Sequence, residues 1–142
     1  MTLEEELEQD EGYSQFPYRD SVRSVEHPEG IWTVGIGRNL EEVGIYHDEA
    51  IFMLRNDISK RRFQLEQKLK YWSLLPGDIQ EVLINMSFMG VGRLMGFTEM
   101  LKAVAKIDRE GMAKEMMDSL WADQVKGRAV RLKNKILSGG VK

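Results

Sequence analysis

"DEAIFMLRNDISKRRFQLEQKL", residues 48 to 69, decides the fold. Its apolar residues Ala50, Leu54, Ile58, Leu65 and Leu69 keep the three- and four-residue spacing of one helix face. Asp48 and Glu49 put negative charge where the dipole of a first helical turn favours it. The spacing predicts one helix of about 22 residues, roughly 33 Å long. Such a helix separates a front segment, residues 1 to 47, from a rear segment, residues 70 to 142.

In the front segment, Leu3 and Leu7 stand at helical spacing among glutamates, and Thr2 with Glu5 forms the pattern of a capping box. Gly12 then sits where a C-terminal cap belongs, which places Glu11 at the end of a short helix over 2 to 11. From 16 to 40 the pattern becomes β-rich, with "SVRSVE" (21 to 26) and "IWTVGIG" (31 to 37) separated by "HPEG", a type I turn signal. The rear segment reads as helices over roughly 79–89, 97–106, 109–122 and 126–137, punctuated by "LLPGD", "GVGRLMG", "KIDREG" and "SGG". The methionines of this half suit core filling better than a cofactor site. The expected class is α+β and mostly α: a small N-terminal α/β lobe with a short antiparallel sheet, a long connecting helix, and a helical C-terminal lobe. Together they make one domain over 1 to 142, with a cleft between the lobes as the default site.

Composition narrows the chemistry. With 142 residues and 42% hydrophobic content the chain can bury a core. It has no cysteine, and His27 and His47 are its only histidines, so neither a disulfide nor a metal site is expected. No apolar run approaches the roughly 18 residues of a membrane span, and the start "MTLEEELEQD" is acidic where a secretory leader is basic. Synthesis in the cytoplasm without membrane insertion is the expectation. Residues 1 to 50 carry 13 acids and 3 bases, whereas 51 to 142 carry 10 acids and 17 bases. The basic rear suits an extended anionic partner such as a cell-wall polymer or nucleic acid, and equally suits solvated helix faces. "GIGRNL" lacks the third glycine of a dinucleotide fingerprint, and no phosphate loop or serine elbow is present. No cofactor is expected.

The stretch "DEGYSQFPYRDS", residues 10 to 21, sets an aromatic and proline run between Glu11 and Asp20. Most acids of a chain this rich in them only solvate a surface. A helix-end glutamate and a rigidly held loop aspartate nevertheless suit the unequal roles of glycoside hydrolysis. There, one carboxyl donates a proton to the leaving oxygen while the other stays ionised on the opposite side of the sugar.

"DEGYSQFPYRDS", "TVGIGRNL", "DEAIFMLRNDI", "LINMSFMGVGRLMGFT" and "SLWADQVKGRAVRLKNKILSG" resemble, in order, segments of bacteriophage lysozymes of the T-even type, glycoside hydrolase family 24. The likeness spans nearly the whole chain, and its most specific part is the family triad, which maps onto Glu11, Asp20 and Thr33. The resemblance implies a lysozyme-like fold and inverting cleavage of the β-1,4 bond between N-acetylmuramic acid and N-acetylglucosamine in peptidoglycan. It makes Glu11 the general acid, Asp20 the residue that orients or activates water, and Thr33 a further holder of that water. Phe88 and Arg128 match positions lining the family's cleft, with Arg128 beside Glu11; the plainer alternatives are a core Phe88 and a surface Arg128. A monomer is implied that acts on peptidoglycan strands after holin-mediated release, or after delivery in a virion. Two other classes compete: a non-catalytic wall-binding or structural virion module of the same fold, and a helical nucleic-acid binder. The last rests only on the basic rear half and lacks a recognition helix with an aromatic platform.

Three departures from the family bear on the site. "SVRSVEHPEG" contains an insertion between the aspartate and the threonine. A regular hairpin turning at Pro28 and Glu29 would pair Thr33 with Ser24 and leave Asp20 about 13 Å away along the strand. Much of 22 to 30 is therefore expected to leave the sheet as an excursion that lets Asp20 approach Thr33. One residue is missing after Phe88, where family members carry a polar cleft side chain. Arg38 stands where many members carry histidine and is expected to pair with Asp57 on the long helix.

Overall fold

The structure, a computed structural model, describes residues 1–21 and 24–139. Among these the chain is α+β and mostly helical, with eight α-helices and one three-stranded antiparallel sheet of order β1-β2-β3. Its contacts divide it into two units, Met1–Met53 and Leu54–Lys142, and the boundary falls inside the long helix.

The first unit starts with α1, Leu3–Glu11. Its start is fixed by the expected capping box: the Glu5 amide donates to Thr2 Oγ1 at 3.1 Å, and the Thr2 amide donates to Glu5 Oε2 at 2.8 Å. Its end is fixed by Gly12, whose φ of 77° favours glycine and whose N–H donates to the Glu8 carbonyl at 2.8 Å. The strands are β1 (Ser14–Arg19), β2 (Trp32–Gly35) and β3 (Arg38–Asn39).

The first strand thus lies in the aromatic and proline run, whereas the sequence reading expects it in "SVRSVE". Phe16 and Tyr18 are good strand formers. Pro17 is tolerated because β1 is an edge strand, and an irregularity between Ser14 and Tyr18 takes up the register. Of the expected strand, Ser21 and residues 24–26 stand outside the sheet, and Val22 and Arg23 lie outside the described residues. The "HPEG" turn is present, closed by the Gly30 N–H donating to the His27 carbonyl at 3.0 Å.

The long helix α2 runs His47–Lys68, within a residue of expectation. The second unit continues through a 3₁₀ turn, Trp72–Leu74, to α3 (Gly77–Ser87), α4 (Val91–Met95), α5 (Thr98–Ala105), α6 (Arg109–Met117), α7 (Leu120–Val125) and α8 (Gly127–Ser138). The single helix expected over 109–122 is two. Ser119 ends the first by donating Oγ to the Met116 carbonyl at 2.6 Å and caps the second by accepting the Ala122 N–H at 3.1 Å. The core of this unit centres on Leu65, Ile79, Leu83, Leu94 and Ile136, with Met86, Met100, Met112 and Met116 filling between them. Those four methionines act as the unbranched packing material expected of them. Asp78 on α3 receives both arms of Arg109 at 2.6 and 3.1 Å, and Arg109 also donates to the Ile136 carbonyl at 2.7 Å, joining α3, α6 and α8.

Candidate active site

Glu11, Asp20 and Thr33 all fall in the first unit, whereas Phe88 and Arg128 fall in the second. Glu11 closes α1, and its carboxylate lies against the backbone of Gly37 in the turn between β2 and β3. A Cβ built on Gly37 would stand 2.8 Å from Glu11 Oε2 and 3.1 Å from its carboxyl carbon. Gly37, at φ 68°, is therefore required for both its conformation and its lack of a side chain. The resembling "GIG" turn makes room for an acid.

Asp20 and Thr33 meet through Ile31. Tyr18 pairs with Thr33 and Arg19 with Trp32, and the Asp20 N–H then donates to the Ile31 carbonyl at 3.0 Å. Asp20 Oδ1 accepts the Ile31 N–H at 3.4 Å, and Thr33 Oγ1 donates to the same Ile31 carbonyl at 2.9 Å. Because side chains alternate along a strand, Asp20, two residues beyond Tyr18, emerges on the face of Thr33. The separation along the strand is about 6.6 Å, half that of the regular hairpin. The expected excursion of the intervening segment is what allows this: residues 24–30 leave the sheet and return at Gly30. Thr33 is buried, and its hydroxyl is satisfied by the Ile31 carbonyl.

The return point is braced on the opposite face. The Arg19 guanidinium lies 4.5 Å from the centre of the Trp32 ring, donates to the Gly30 carbonyl at 3.4 Å and stands 3.9 Å from Glu29. Arg38 does not use Asp57. It makes a bidentate pair with Glu49, at 2.7 and 2.5 Å, and donates to the Gly44 carbonyl at 3.1 Å. The Arg38 hydrogen bonds, then the Tyr46 N–H at 2.8 Å, lower the Glu49 carboxyl from its usual value of 4.5 to about 2.

In the second unit, Phe88 caps the C-terminus of α3 and is partly exposed, so the core alternative does not hold for it. Its ring carries the Arg61 guanidinium at 5.5 Å. Phe88 and Arg128 line one open cavity of about 530 Å³ together with Leu54, Ile58, Arg62 and Asn85. Arg128 is not a loose surface side chain: Nε donates to Asn85 Oδ1 at 2.9 Å and an Nη donates to the Asn85 carbonyl at 2.8 Å. Lys126, at φ 44°, holds left-handed backbone at the junction from which α8 begins. Asn85, Arg61 and Ile31 are residues that sequence reasoning did not single out. Asn85 lay inside the "INMSF" block, but nothing in its type or spacing shows that it holds an arginine 43 positions away.

The fold and these groups define a mostly helical α+β protein that sets two acids and a threonine around a small sheet, with an aromatic and arginine cavity in its helical unit. No family model matches the chain. Over 99% of its length it is 30% identical, across 170 aligned residues, to the pre-baseplate central spike protein Gp5 of Enterobacteria phage T4. The chain spans 28% of the length of that relative.

Proposed function

We propose that the chain is a peptidoglycan hydrolase of the T-even phage lysozyme type, cleaving the β-1,4 bond between N-acetylmuramic acid and N-acetylglucosamine. The observation that carries this reading is the return of Asp20 to the face of Thr33 across an inserted segment, with both tied to Ile31. In the proposed reaction Glu11 protonates the leaving oxygen while Asp20 directs a water, steadied from the Thr33 side, to the opposite face of the sugar. Phe88 offers an aromatic face to a sugar ring, and Arg128, held by Asn85 in the same cavity, offers hydrogen-bond donors to the substrate. The carboxyl groups of an inverting pair stand about 6.5 to 9.5 Å apart to admit the water.

The relative's name supports delivery in a virion over release at lysis. It also supports a second reading, a structural module of a phage tail that does not cleave the wall. A turbidity assay on outer-membrane-permeabilised bacteria separates the two. The hydrolase clears the suspension and Glu11→Gln, folded to the same extent, does not. Equal failure of wild type and variant would leave only the structural module.

A further inference from the structure

Besides the Arg19 brace at its end, the described part of the inserted segment, residues 24–30, is tied to the loop after β3 by His27. His27 Nδ1 stands 3.3 Å from Glu41 Oε2, and its Nε2 stands 3.4 Å from Glu42 Oε1. Both glutamates are themselves fixed, because their N–H groups donate to Asn39 Oδ1 at 3.0 and 2.8 Å, and Asn39 pairs with Thr33 in the sheet. On its other side His27 organises the excursion: its carbonyl accepts the N–H of Gly30 at 3.0 Å and of Ser24 at 3.2 Å, and its own N–H donates to Ser24 Oγ at 3.0 Å. Gly30 is buried against the Asp20 backbone, and Ile31, next in the chain, exchanges hydrogen bonds with Asp20. A continuous path therefore runs from the Glu41 and Glu42 carboxylates through His27 and Gly30 to Asp20.

A neutral imidazole has one N–H and one lone pair, so it can serve only one of two flanking carboxylates. The imidazolium has two N–H groups and serves both. We propose that His27 is a protonation-dependent positioning residue for Asp20: its doubly protonated ring clamps the inserted segment to Glu41 and Glu42 and thereby holds the Asp20 carboxylate on the Ile31 amide. Among the described charged groups, Glu41 and Glu42 face the ring. Glu29 of the same segment is turned to Arg19 at 3.9 Å, and Glu26 makes no ion pair among the described residues. Deprotonation leaves one carboxylate facing a lone pair, and that half of the clamp opens. The inference rests on the hydrolase reading only in that Asp20 is then the group being positioned.

The test has two arms on the intact chain. Nuclear magnetic resonance follows the Ile31 and Asp20 amides together with the His27 ring resonances as the pH is varied until the ring changes charge. In wild type these amides shift in step with the ring, and in Glu41→Gln/Glu42→Gln they do not. Peptidoglycan cleavage is then measured over the same range. Wild-type kcat falls by about 3- to 10-fold as the ring loses its proton, while KM changes by less than about 2-fold, because a misplaced Asp20 slows the chemistry more than it weakens binding. The double glutamine variant and His27→Gln give the low kcat throughout, with the step absent. Amides that ignore the ring, or the same pH profile in wild type and variants, overturn the proposal. A wild type that cleaves no wall would instead overturn the hydrolase reading, and the amide arm would still decide the clamp.

Discussion

Replacing Gly30 with alanine tests how tightly the backbone positions Asp20. Gly30 is buried at φ +86°, which an L-residue adopts at a cost of about 1–2 kcal/mol. The larger effect is the space. A Cβ there would stand 3.3 Å from the Asp20 carbonyl carbon and 3.5 Å from its nitrogen, and would overlap the carbonyl oxygen outright. That oxygen belongs to the backbone and has no rotamer to escape into, so the junction between Asp20 and Ile31 must open by about 1 Å to restore ordinary contact. Strain and overlap together should destabilise the chain by about 2–4 kcal/mol. Displacement of the acid by that distance should lower turnover by up to about 100-fold. Gly44→Ala is the control: its φ of +67° carries the same conformational cost, but the nearest atom to its added carbon, the Leu40 carbonyl oxygen, is 4.0 Å away. It should lose only about 1–2 kcal/mol and keep its activity. Denaturant unfolding and initial rates on purified peptidoglycan, at a temperature where both variants are folded, give the two quantities. Turnover in Gly30→Ala equal to that in Gly44→Ala would refute the reasoning.

The Arg38–Glu49 and Asp78–Arg109 ion pairs carry the remaining expectations. Arg38→Ala and Glu49→Ala should be non-additive in a double-mutant cycle, whereas Arg38→Ala and Asp57→Ala should add. Because the folded Glu49 carboxyl lies below its unfolded value, its contribution is fully present above about 4.5 and is lost as pH falls towards about 2. The thermal midpoint of wild type should therefore fall more steeply with acid than that of Glu49→Gln. Asp78→Ala strands Arg109 among α3, α6 and α8, where its side chain is only 17% exposed, and should cost about 2–3 kcal/mol in denaturant unfolding. Arg109 holds the Asp78 carboxyl below the usual carboxylate range, so this contribution too disappears as pH falls through the folded value.

What was legible in the sequence was what short-range chemistry decides. Thr2 and Glu5 announce the start of α1, Gly12 its end, and Asp48 and Glu49 with the apolar stripe behind them announce α2, because each signal is satisfied within a turn or two of helix. The first strand was misread because "SQFPYR" contains a proline that argues against a strand, and only its place at the sheet edge removes the objection. Edge status is a property of the assembled sheet and not of the segment. The break at Ser119 carried a readable cap, but apolar spacing ran across it and masked it. Val91–Met95 was read as a glycine-rich interruption because five residues between glycines carry little periodicity. Arg38 was assigned to the correct helix and the wrong turn of it. The loop that delivers Glu49 is fixed by the Gly44 carbonyl and the Tyr46 amide, and neither leaves a mark in residue type. In the candidate site the acids were visible as residues, and the need for an excursion was visible as arithmetic on strand spacing. The role of Ile31, which offers only backbone groups to Asp20 and Thr33, was not.

The most direct measurement is proton nuclear magnetic resonance of the first sugar released from purified peptidoglycan, recorded before the anomers equilibrate. With Glu11 as acid and Asp20 directing water from the opposite face, the new reducing end is N-acetylmuramic acid in the α configuration, and none forms with Glu11→Gln. A β anomer would make Asp20 a nucleophile, and the absence of any new reducing end from the wild-type protein would contradict the account altogether.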